Sequence, residues 1–216
     1  AGDIHDHRGM GLVPDIFEEK DLQALPGTIA VGHVRYSTTG RPSIANAQPL
    51  LVNHKGMNIA IAHNGNLVNT FELRSRHEGA IFRGTSDTEV IMHLLVRELA
   101  HHDPVEAIRR TCQQLRGAYC LIFLLGRLMV AVRDPYGFHP LSVGRLDGAP
   151  IVASETCAFD LMDAEYEHCM KPGEMFIVDE NGESTEMLGG VIPEKPKQCI
   201  FELIYFARPD SYVFNE

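Results

Sequence analysis

The sequence lacks any apolar run long enough to cross a lipid bilayer, so no membrane partner is expected. Its longest apolar stretch, at residues 119–125, predicts a buried strand instead. The first seven residues have none of the character of a signal peptide. These absences favour a globular protein that is not directed to the secretory route.

Clustered basic residues are also missing, and the formal net charge is −10. The only adjacent basic pair, Arg109 and Arg110, falls in a predicted helix. Because contacts to phosphate need grouped Lys and Arg, the composition gives no support to a nucleic-acid partner. The five cysteines include no Cys-x-x-Cys pair, and several lie in apolar segments, so we expect reduced thiols in a cytoplasmic protein.

The 216 residues, 44% of them hydrophobic, suffice for one substantial core and predict a single domain. Segments rich in β-formers recur along the chain, at residues 28–36, 58–62, 118–125, 128–133, 141–144, 149–154, 174–179, 183–188 and 200–207. Three successive pairs flank short turn signals, at residues 126–127, 147–148 and 181–182. Each of these pairs predicts an antiparallel hairpin.

Two clear helices are predicted among the strands. Ser86, with Glu89 three residues later, has the signature of a capping box and precedes a wide apolar stripe. The pair 103–104, Asp-Pro, opens a second helix that we expect to end at Gly117. A third, shorter helix is expected after Asn66. Adjacent helices between groups of hairpins predict an α+β fold with the helices stacked on an antiparallel sheet.

Three polar segments carry residues that ordinary turns do not require. Arg35 offers a planar pair of donors that fits a carboxylate, although it could also cap a sheet edge or pair with an acid. Asn64 and Gly65, in a predicted turn, supply two donors suited to an oxyanion hole, with an ordinary tight turn as the alternative. Asp87, at a predicted helix N-terminus, could hold an ammonium group or belong simply to the cap.

Together these segments provide groups for a carboxylate, an oxyanion and an ammonium. That inventory suits the binding of an α-amino acid and hydrolysis of its side-chain amide. Residues 32–38 (Gly-His-Val-Arg-Tyr-Ser-Thr), 62–67 (Ala-His-Asn-Gly-Asn-Leu) and 85–89 (Thr-Ser-Asp-Thr-Glu) in this order resemble the class II glutamine amidotransferases. The resemblance implies an N-terminal-nucleophile hydrolase fold, a four-layer αββα sandwich of antiparallel sheets.

Four further segments resemble the amidophosphoribosyltransferase family within that class, at residues 117–119, 133–137, 154–160 and 205–211. The resemblance implies a glutaminase domain that supplies ammonia from glutamine to a C-terminal phosphoribosyltransferase domain. There, phosphoribosyl pyrophosphate would be converted to 5-phosphoribosylamine in the first committed step of de novo purine synthesis. The implied site roles are carboxylate binding by Arg35, pocket lining by Tyr36 and Thr38, an oxyanion hole from Asn64 and Gly65, and ammonium binding by Asp87.

Position 1 departs from the family pattern. Members begin, after processing, with a cysteine whose thiolate attacks the amide carbon while its own α-amino group acts as the base. Ala1 offers no nucleophile, and residues 6–13 resemble a region some tens of residues inside the family's domain. We therefore expect a glutaminase domain over residues 1–207 without its first strand, a linker beginning at 208–216, and no activity in this chain alone. None of the internal cysteines is expected to substitute.

Cofactor and partner expectations follow from the same resemblance. No cofactor is expected for this part, whereas the full-length enzyme would need Mg²⁺ for its transferase half and could hold an iron–sulfur cluster. Cys199 is one candidate ligand of such a cluster, with a buried thiol as the alternative. Glutamine, the transferase domain and, for the full-length enzyme, further copies of itself are the expected partners. Two alternatives stay open: a catalytically dead glutamine-binding or regulatory relative, and another branch of the class II amidotransferases.

Overall fold

The computed structural model describes residues 3–35, 43–76, 81–82 and 84–214. Its strands are β1 (Leu50–His54), β2 (Met57–Leu67), β3 (Gly117–Leu125), β4 (Leu128–Arg133), β5 (Ser142–Leu146), β6 (Ala149–Ala153), β7 (Glu165–Cys169), β8 (Glu174–Asp179) and β9 (Gly182–Met187). Its helices are α1 (Val13–Ile16), α2 (Glu19–Gln23), α3 (Thr70–Ser75), α4 (Asp87–Glu98), α5 (Pro104–Gln113) and α6 (Cys157–Met162), with a 3₁₀ turn at Ile44–Asn46 and a π-helical turn at Glu202–Phe206. In the described part of the chain, every helix is too short or too polar to cross a bilayer.

Six strands form one antiparallel sheet in the order β1-β2-β3-β4-β8-β9. Because successive side chains of a strand point to opposite faces, the inner strands of this sheet bury two different sets of residues. Ile59, Phe123 and Val130 face a core shared with α4 and α5. Cys120 and Ala131 belong to the alternate set of side chains and face a second core on the other side of the sheet. The sheet therefore lies in the middle of the molecule.

Helices α4 and α5 cover the first face of the large sheet, as their apolar stripes predict. The Ser86 hydroxyl accepts a hydrogen bond from the first turn of α4 at 3.2 Å, and the Asp103 carboxylate does the same for α5 at 3.1 Å. Both predicted helices are confirmed, and α3 confirms the third. The second helix ends at Gln113, since Gly117 instead begins β3.

A smaller antiparallel sheet, in the order β6-β5-β7, packs on the second face. Val143 of β5 lies in the core between the two sheets. The next residue, Gly144, faces the opposite side of the small sheet. A Cβ atom added there would lie 3.3 Å from the ring of Phe159 in α6, so α6 covers the outer face of this sheet. The layers run helix, sheet, sheet, helix, which confirms the expected fold class. The three predicted hairpins are confirmed as β3-β4, β5-β6 and β8-β9.

The strand predicted at residues 28–36 is not formed in its described part, residues 28–35. Exposure alternates along this segment: Ile29, Val31, His33 and Arg35 are half-buried, whereas the residues between them are exposed. Alternate side chains of the segment therefore turn inward, as they would in a strand, although no strand is formed. Among the described residues, however, no neighbouring strand is paired with the segment, and a strand needs such a neighbour to satisfy its backbone.

The strand predicted at residues 200–207 is helical instead. The N–H of Ala207 donates to the carbonyl of Glu202 at 3.0 Å, which closes a π-helical turn. Glu202 is buried and paired with His139, whereas Leu203 is 52% exposed. The prediction was wrong because it assigned the apolar side chains to the core, while the fold buries the acidic one.

Candidate active site

The predicted turn at residues 63–66 is in fact part of β2, which continues to Leu67. Both Asn64 and Gly65 are exposed, and both pair with β3 on one side. On the other side of β2, the pairing with β1 stops at Ile61. Among the described residues, β2 therefore has an open side next to the two expected oxyanion donors, which lie on a strand and not on a turn.

Gly65 occupies a position where no side chain fits. Its φ is +149°, and an ideal Cβ would lie 2.1 Å from the carbonyl oxygen of Ala118 and 2.9 Å from Nε2 of His63. A side chain would force β2 away from β3. Glycine at this position therefore keeps the strand close to its neighbour and leaves its backbone accessible to a ligand.

Asp87 begins α4 and is tied to the end of β2. Its Oδ2 accepts a hydrogen bond from the N–H of Leu67 at 3.0 Å, and its Oδ1 accepts one from the N–H of Thr88 at 3.0 Å. Capping itself falls to Ser86. The Asp87 side chain keeps 20% of its surface exposed, so its carboxylate is held in place yet accessible from solvent.

His63 joins the same strand to the same helix. The residue is only 4% exposed. Its Nδ1 lies 3.3 Å from Oγ1 of Thr88 and 3.5 Å from Oδ1 of Asp87. Because an ionised carboxylate can only accept, Nδ1 must carry a hydrogen for the contact with Asp87. His63 therefore acts as a donor toward the N-terminus of α4.

The backbone of His63 is held by two further segments. The side-chain amide of Gln48 accepts from the His63 N–H at 2.6 Å and donates to the His63 carbonyl at 3.2 Å. Nε2 of His33 donates to the same carbonyl at 3.1 Å. Since His33 belongs to the motif at 32–38, the three motifs that are distant in sequence are in contact through His63.

Two ionisable groups at this junction have shifted pKa values. Burial alone would raise the pKa of the Asp87 carboxyl. The hydrogen bond and the charge interaction with His63, together with two backbone N–H groups, outweigh burial and bring the pKa below its usual range. Burial lowers the pKa of His33, as do nearby His63 and Arg35, against the hydrogen bond to the His63 carbonyl. The junction therefore favours an ionised Asp87, which suits the binding of an ammonium group.

The predicted site residues are carried by segments that contact one another. Arg35 is half-buried and close enough to His33 to affect its pKa. Tyr36 and Thr38 lie outside the described residues, so their pocket-lining roles stay predictions. The binding roles of Arg35 and Asp87 are likewise predictions, as is the oxyanion role of Asn64 and Gly65; the structure gives the position of each of these four residues.

Sequence reasoning missed the polar residues that hold the junction together: His33, Gln48, His63 and Thr88. A signal for His63 was available, because it continues the alternation of Ile61 toward the helix-covered face of the sheet. Gln48 gives no local signal, since its partner, the backbone of His63, lies in a distant segment of the chain. Only the tertiary structure identifies it.

Two of the internal cysteines, Cys112 and Cys120, are poorly suited to act as nucleophiles. Cys112 and Cys120 are buried, and burial raises the pKa of each thiol, which disfavours the reactive thiolate. Cys199 is half-buried, and its N–H donates to the carbonyl of Phe138 at 3.0 Å. Within the described ranges, no three His, Cys, Asp or Glu side chains form a metal-binding group. These residues alone do not provide the four ligands of an iron–sulfur cluster, so that role of Cys199 stays a prediction.

Two of the segments that resemble amidophosphoribosyltransferases bind each other. Oε2 of Glu155 accepts from the N–H of Arg208 at 2.9 Å and from the hydroxyl of Ser211 at 3.2 Å. Oγ1 of Thr156 accepts from the N–H of Tyr212 at 2.8 Å. These contacts attach the chain near its last described residues to the turn that precedes α6.

A third such segment, at residues 133–137, has a structural role. Arg133 is buried, and its guanidinium donates to the carbonyls of His139 at 2.7 Å, Gly137 at 3.0 Å and Met170. Burial raises the pKa of the adjacent Asp134, although several backbone N–H groups donate to its carboxylate. The segment fixes the loop that leaves β4.

Comparison with known proteins gives consistent results. A family described as "Glutamine amidotransferase domain" matches residues 33–160. The chain is 49% identical to the chloroplastic amidophosphoribosyltransferase of Glycine max over 98% of its own length and 38% of that protein. It is 44% identical to the amidophosphoribosyltransferase of Archaeoglobus fulgidus over 97% of its length and 46% of that protein.

Among solved structures, the glutamine phosphoribosylpyrophosphate amidotransferase of B. subtilis, in complex with ADP and GMP, superposes with a TM-score of 0.89 at 39% identity. The match covers 97% of this chain and 45% of that one. The chain thus spans less than half the length of the relatives that it matches. The fold, the order of the motifs and the family match lead to one conclusion: this chain belongs to the glutamine amidotransferase domain family.

Proposed function

We propose that this chain is the glutaminase part of an amidophosphoribosyltransferase, which releases ammonia from glutamine and passes it to phosphoribosyl pyrophosphate to form 5-phosphoribosylamine. This reaction would be the first committed step of de novo purine synthesis. The observation that carries the proposal is the junction at His63, where the predicted carboxylate, oxyanion and ammonium segments are in contact. The names of the relatives support the choice of acceptor.

In this proposal, Arg35 binds the α-carboxylate of glutamine, with Tyr36 and Thr38 beside it. Asp87, ionised and partly exposed, binds the α-ammonium. Asn64 and the N–H of Gly65 donate to the oxygen of the side-chain amide as negative charge develops on it.

The nucleophile of the proposed reaction is an N-terminal cysteine of the kind that the family resemblance implies. Its thiolate adds to the amide carbon, the carbon–nitrogen bond breaks, and ammonia leaves with a proton from the cysteine's own α-amino group. Water then hydrolyses the thioester to give glutamate. Buried Cys112 and Cys120 do not fit this step, because burial disfavours their thiolates.

The remaining expectations are proposals about the longer polypeptide. They are Mg²⁺ in a transferase half, Cys199 as one ligand of an iron–sulfur cluster, a phosphoribosyltransferase domain as partner, and a homo-oligomer. A cytoplasmic location is a further proposal, and the name of the Glycine max relative places that protein in the chloroplast.

The proposal is tested by ammonia release from glutamine, measured on the 216-residue chain and on a version with a family-like N-terminal segment that begins with cysteine. Intact mass confirms each N-terminus. We expect release from the extended protein and none from the chain as printed. Release from the chain as printed would show that the account of the nucleophile is wrong. A folded extended protein that releases no ammonia would overturn the glutaminase proposal in favour of a glutamine-binding or regulatory relative.

Asp87→Asn in the extended protein provides the matching test of substrate binding. We expect KM for glutamine to rise roughly tenfold to a hundredfold, because a hydrogen bond to a charged group is lost. Asp103→Asn is the control, since it changes an N-terminal aspartate of α5 in the same way while asparagine can still cap that helix. An equal effect of both substitutions would contradict the proposed role of Asp87.

A further inference from the structure

We propose that His63 is a positioning residue that holds the Asp87 carboxylate in a fixed relation to Asn64 and Gly65. The part of this inference that concerns ligand binding rests on the proposed function. His63 itself is not assigned a contact with glutamine.

The two oxygens of the Asp87 carboxylate are held by two residues of the same strand. His63 lies 3.5 Å from Oδ1 through its Nδ1, and the N–H of Leu67 donates to Oδ2 at 3.0 Å. Asn64 and Gly65 lie between these two residues in the sequence of β2. The strand that carries the expected oxyanion donors therefore also fixes the carboxylate expected to bind the ammonium.

The ring of His63 is confined on its other edge as well. Nε2 is buried and has no hydrogen-bond partner among the described residues. It faces the α-carbon of Gly65, where an added Cβ would lie 2.9 Å away. Leaving Nε2 buried without a partner costs free energy. The contacts of Nδ1 with Asp87 and Thr88, on the opposite edge of the ring, offset this cost and explain the orientation of the ring.

The backbone that carries the ring is fixed too. Gln48 binds both the N–H and the carbonyl of His63, and His33 binds the carbonyl again. With its backbone fixed in β2 and its ring in contact with Asp87 and Thr88, His63 holds the first turn of α4 at a set position relative to β2. A glutamine bound with its ammonium at Asp87 would meet oxyanion donors at a set separation. Loosening the ring should weaken the ammonium contact selectively.

The first readout needs no ligand. Titration of the Asp87 carboxyl by ¹³C NMR is compared in the chain as printed and in His63→Asn and His63→Leu. Asparagine can place an amide donor near the position of Nδ1, whereas leucine has none. We expect the Asp87 midpoint to rise in the leucine variant and to rise less in the asparagine variant, which restores the hydrogen bond but not the charge interaction with His63. An unchanged midpoint in a folded leucine variant would overturn the proposal.

The second readout compares dissociation constants for glutamine and for glutaramate, the same molecule without its α-ammonium group. In the unsubstituted chain we expect glutamine to bind roughly tenfold to a hundredfold more tightly. The ratio should fall toward one in His63→Leu, recover in His63→Asn, and stay unchanged in the control His101→Leu, an exposed residue beyond α4. Glutaramate binding should not change in any variant.

The outcomes separate this inference from the proposed function. If His63→Leu weakens both ligands by the same factor, the ring is merely structural and the inference is wrong. If neither ligand binds the unsubstituted chain but the Asp87 midpoint still moves with His63, the positioning of Asp87 is supported while glutamine binding by this chain fails.

Discussion

Replacing Gly65 by alanine should push β2 away from β3 at the candidate site. The added Cβ would lie 2.1 Å from the carbonyl oxygen of Ala118 and 2.7 Å from its carbon, and neither backbone atom can rotate away. The φ of +149° adds conformational strain for any residue with a side chain. Strain of this kind costs about 1–3 kcal/mol and overpacking a further 1–3 kcal/mol, so the variant should lose about 2–6 kcal/mol of unfolding free energy.

Urea denaturation measures this loss directly. Because a protein of this size loses roughly 2–4 °C in Tm per kcal/mol, thermal unfolding should show a shift of roughly 4–24 °C. Gly182→Ala is the matched control: its φ is +121°, but nothing lies within 4 Å of the added Cβ. The control should show only the loss that comes from strain.

The difference in unfolding free energy between Gly65→Ala and Gly182→Ala measures the cost of the close contact between β2 and β3. Equal losses of unfolding free energy would refute the reasoning, because strain alone would then account for both. In the protein with an N-terminal cysteine segment, Gly65→Ala should also abolish ammonia release even where the variant is folded. Full activity in such a folded variant would contradict the oxyanion role of this backbone.

Three further outcomes are expected. Arg133→Met should lower the unfolding free energy by about 3–5 kcal/mol, because it leaves buried carbonyls without donors. Arg145→Met, at a partly exposed ion pair, should have a smaller effect, and chemical denaturation compares the two variants. Cys112 and Cys120 should resist alkylation until the chain unfolds, as mass spectrometry of native and urea-treated protein would show. Because the folded pKa of His33 lies below its unfolded value, near 6.5, stability should decline as pH falls below that value, and His33→Gln should remove this part of the decline.

The hairpins could be predicted because their determinants are local. Asp147-Gly148 forms the turn between β5 and β6. The turn between β8 and β9 lies one residue earlier than predicted, at Glu180 and Asn181, and Gly182 begins β9. The capping signal at Ser86 also located the start of α4 correctly. The capping box predicted there differs in one contact. The Glu89 carboxylate accepts a hydrogen bond from the N–H of Gly84 and not from that of the cap residue, Ser86.

The failures occurred where a distant partner decides the structure. Residues 28–35 have the alternation of a strand, yet a strand exists only when another segment pairs with it. Residues 200–207 have the composition of a buried strand, yet Glu202 is buried in contact with His139 while Leu203 is exposed. Neither the missing pairing of the first segment, among the described residues, nor the contact of Glu202 with His139 could be inferred from the segments themselves.

The candidate site divides in the same way. Asn64, Gly65 and Asp87 could be selected by chemistry, because donors and carboxylates at such positions suggest ligand binding. The side chains that bring them together could not, since Gln48 and His33 act on a backbone that lies on another segment. Local chemistry identified the binding groups, and tertiary contacts supplied their arrangement.

The side-chain amide of Gln48 takes the place of a strand neighbour at the point where β1 stops. Extending the register of Leu50 and Ile61 by two residues would put Gln48 opposite His63, and it is the side chain of Gln48 that binds there. Substitutions that let β1 continue would add ladder hydrogen bonds and raise thermal stability, while covering the strand that carries the oxyanion donors. Variants that gain thermal stability by extending β1 should therefore hydrolyse glutamine more slowly.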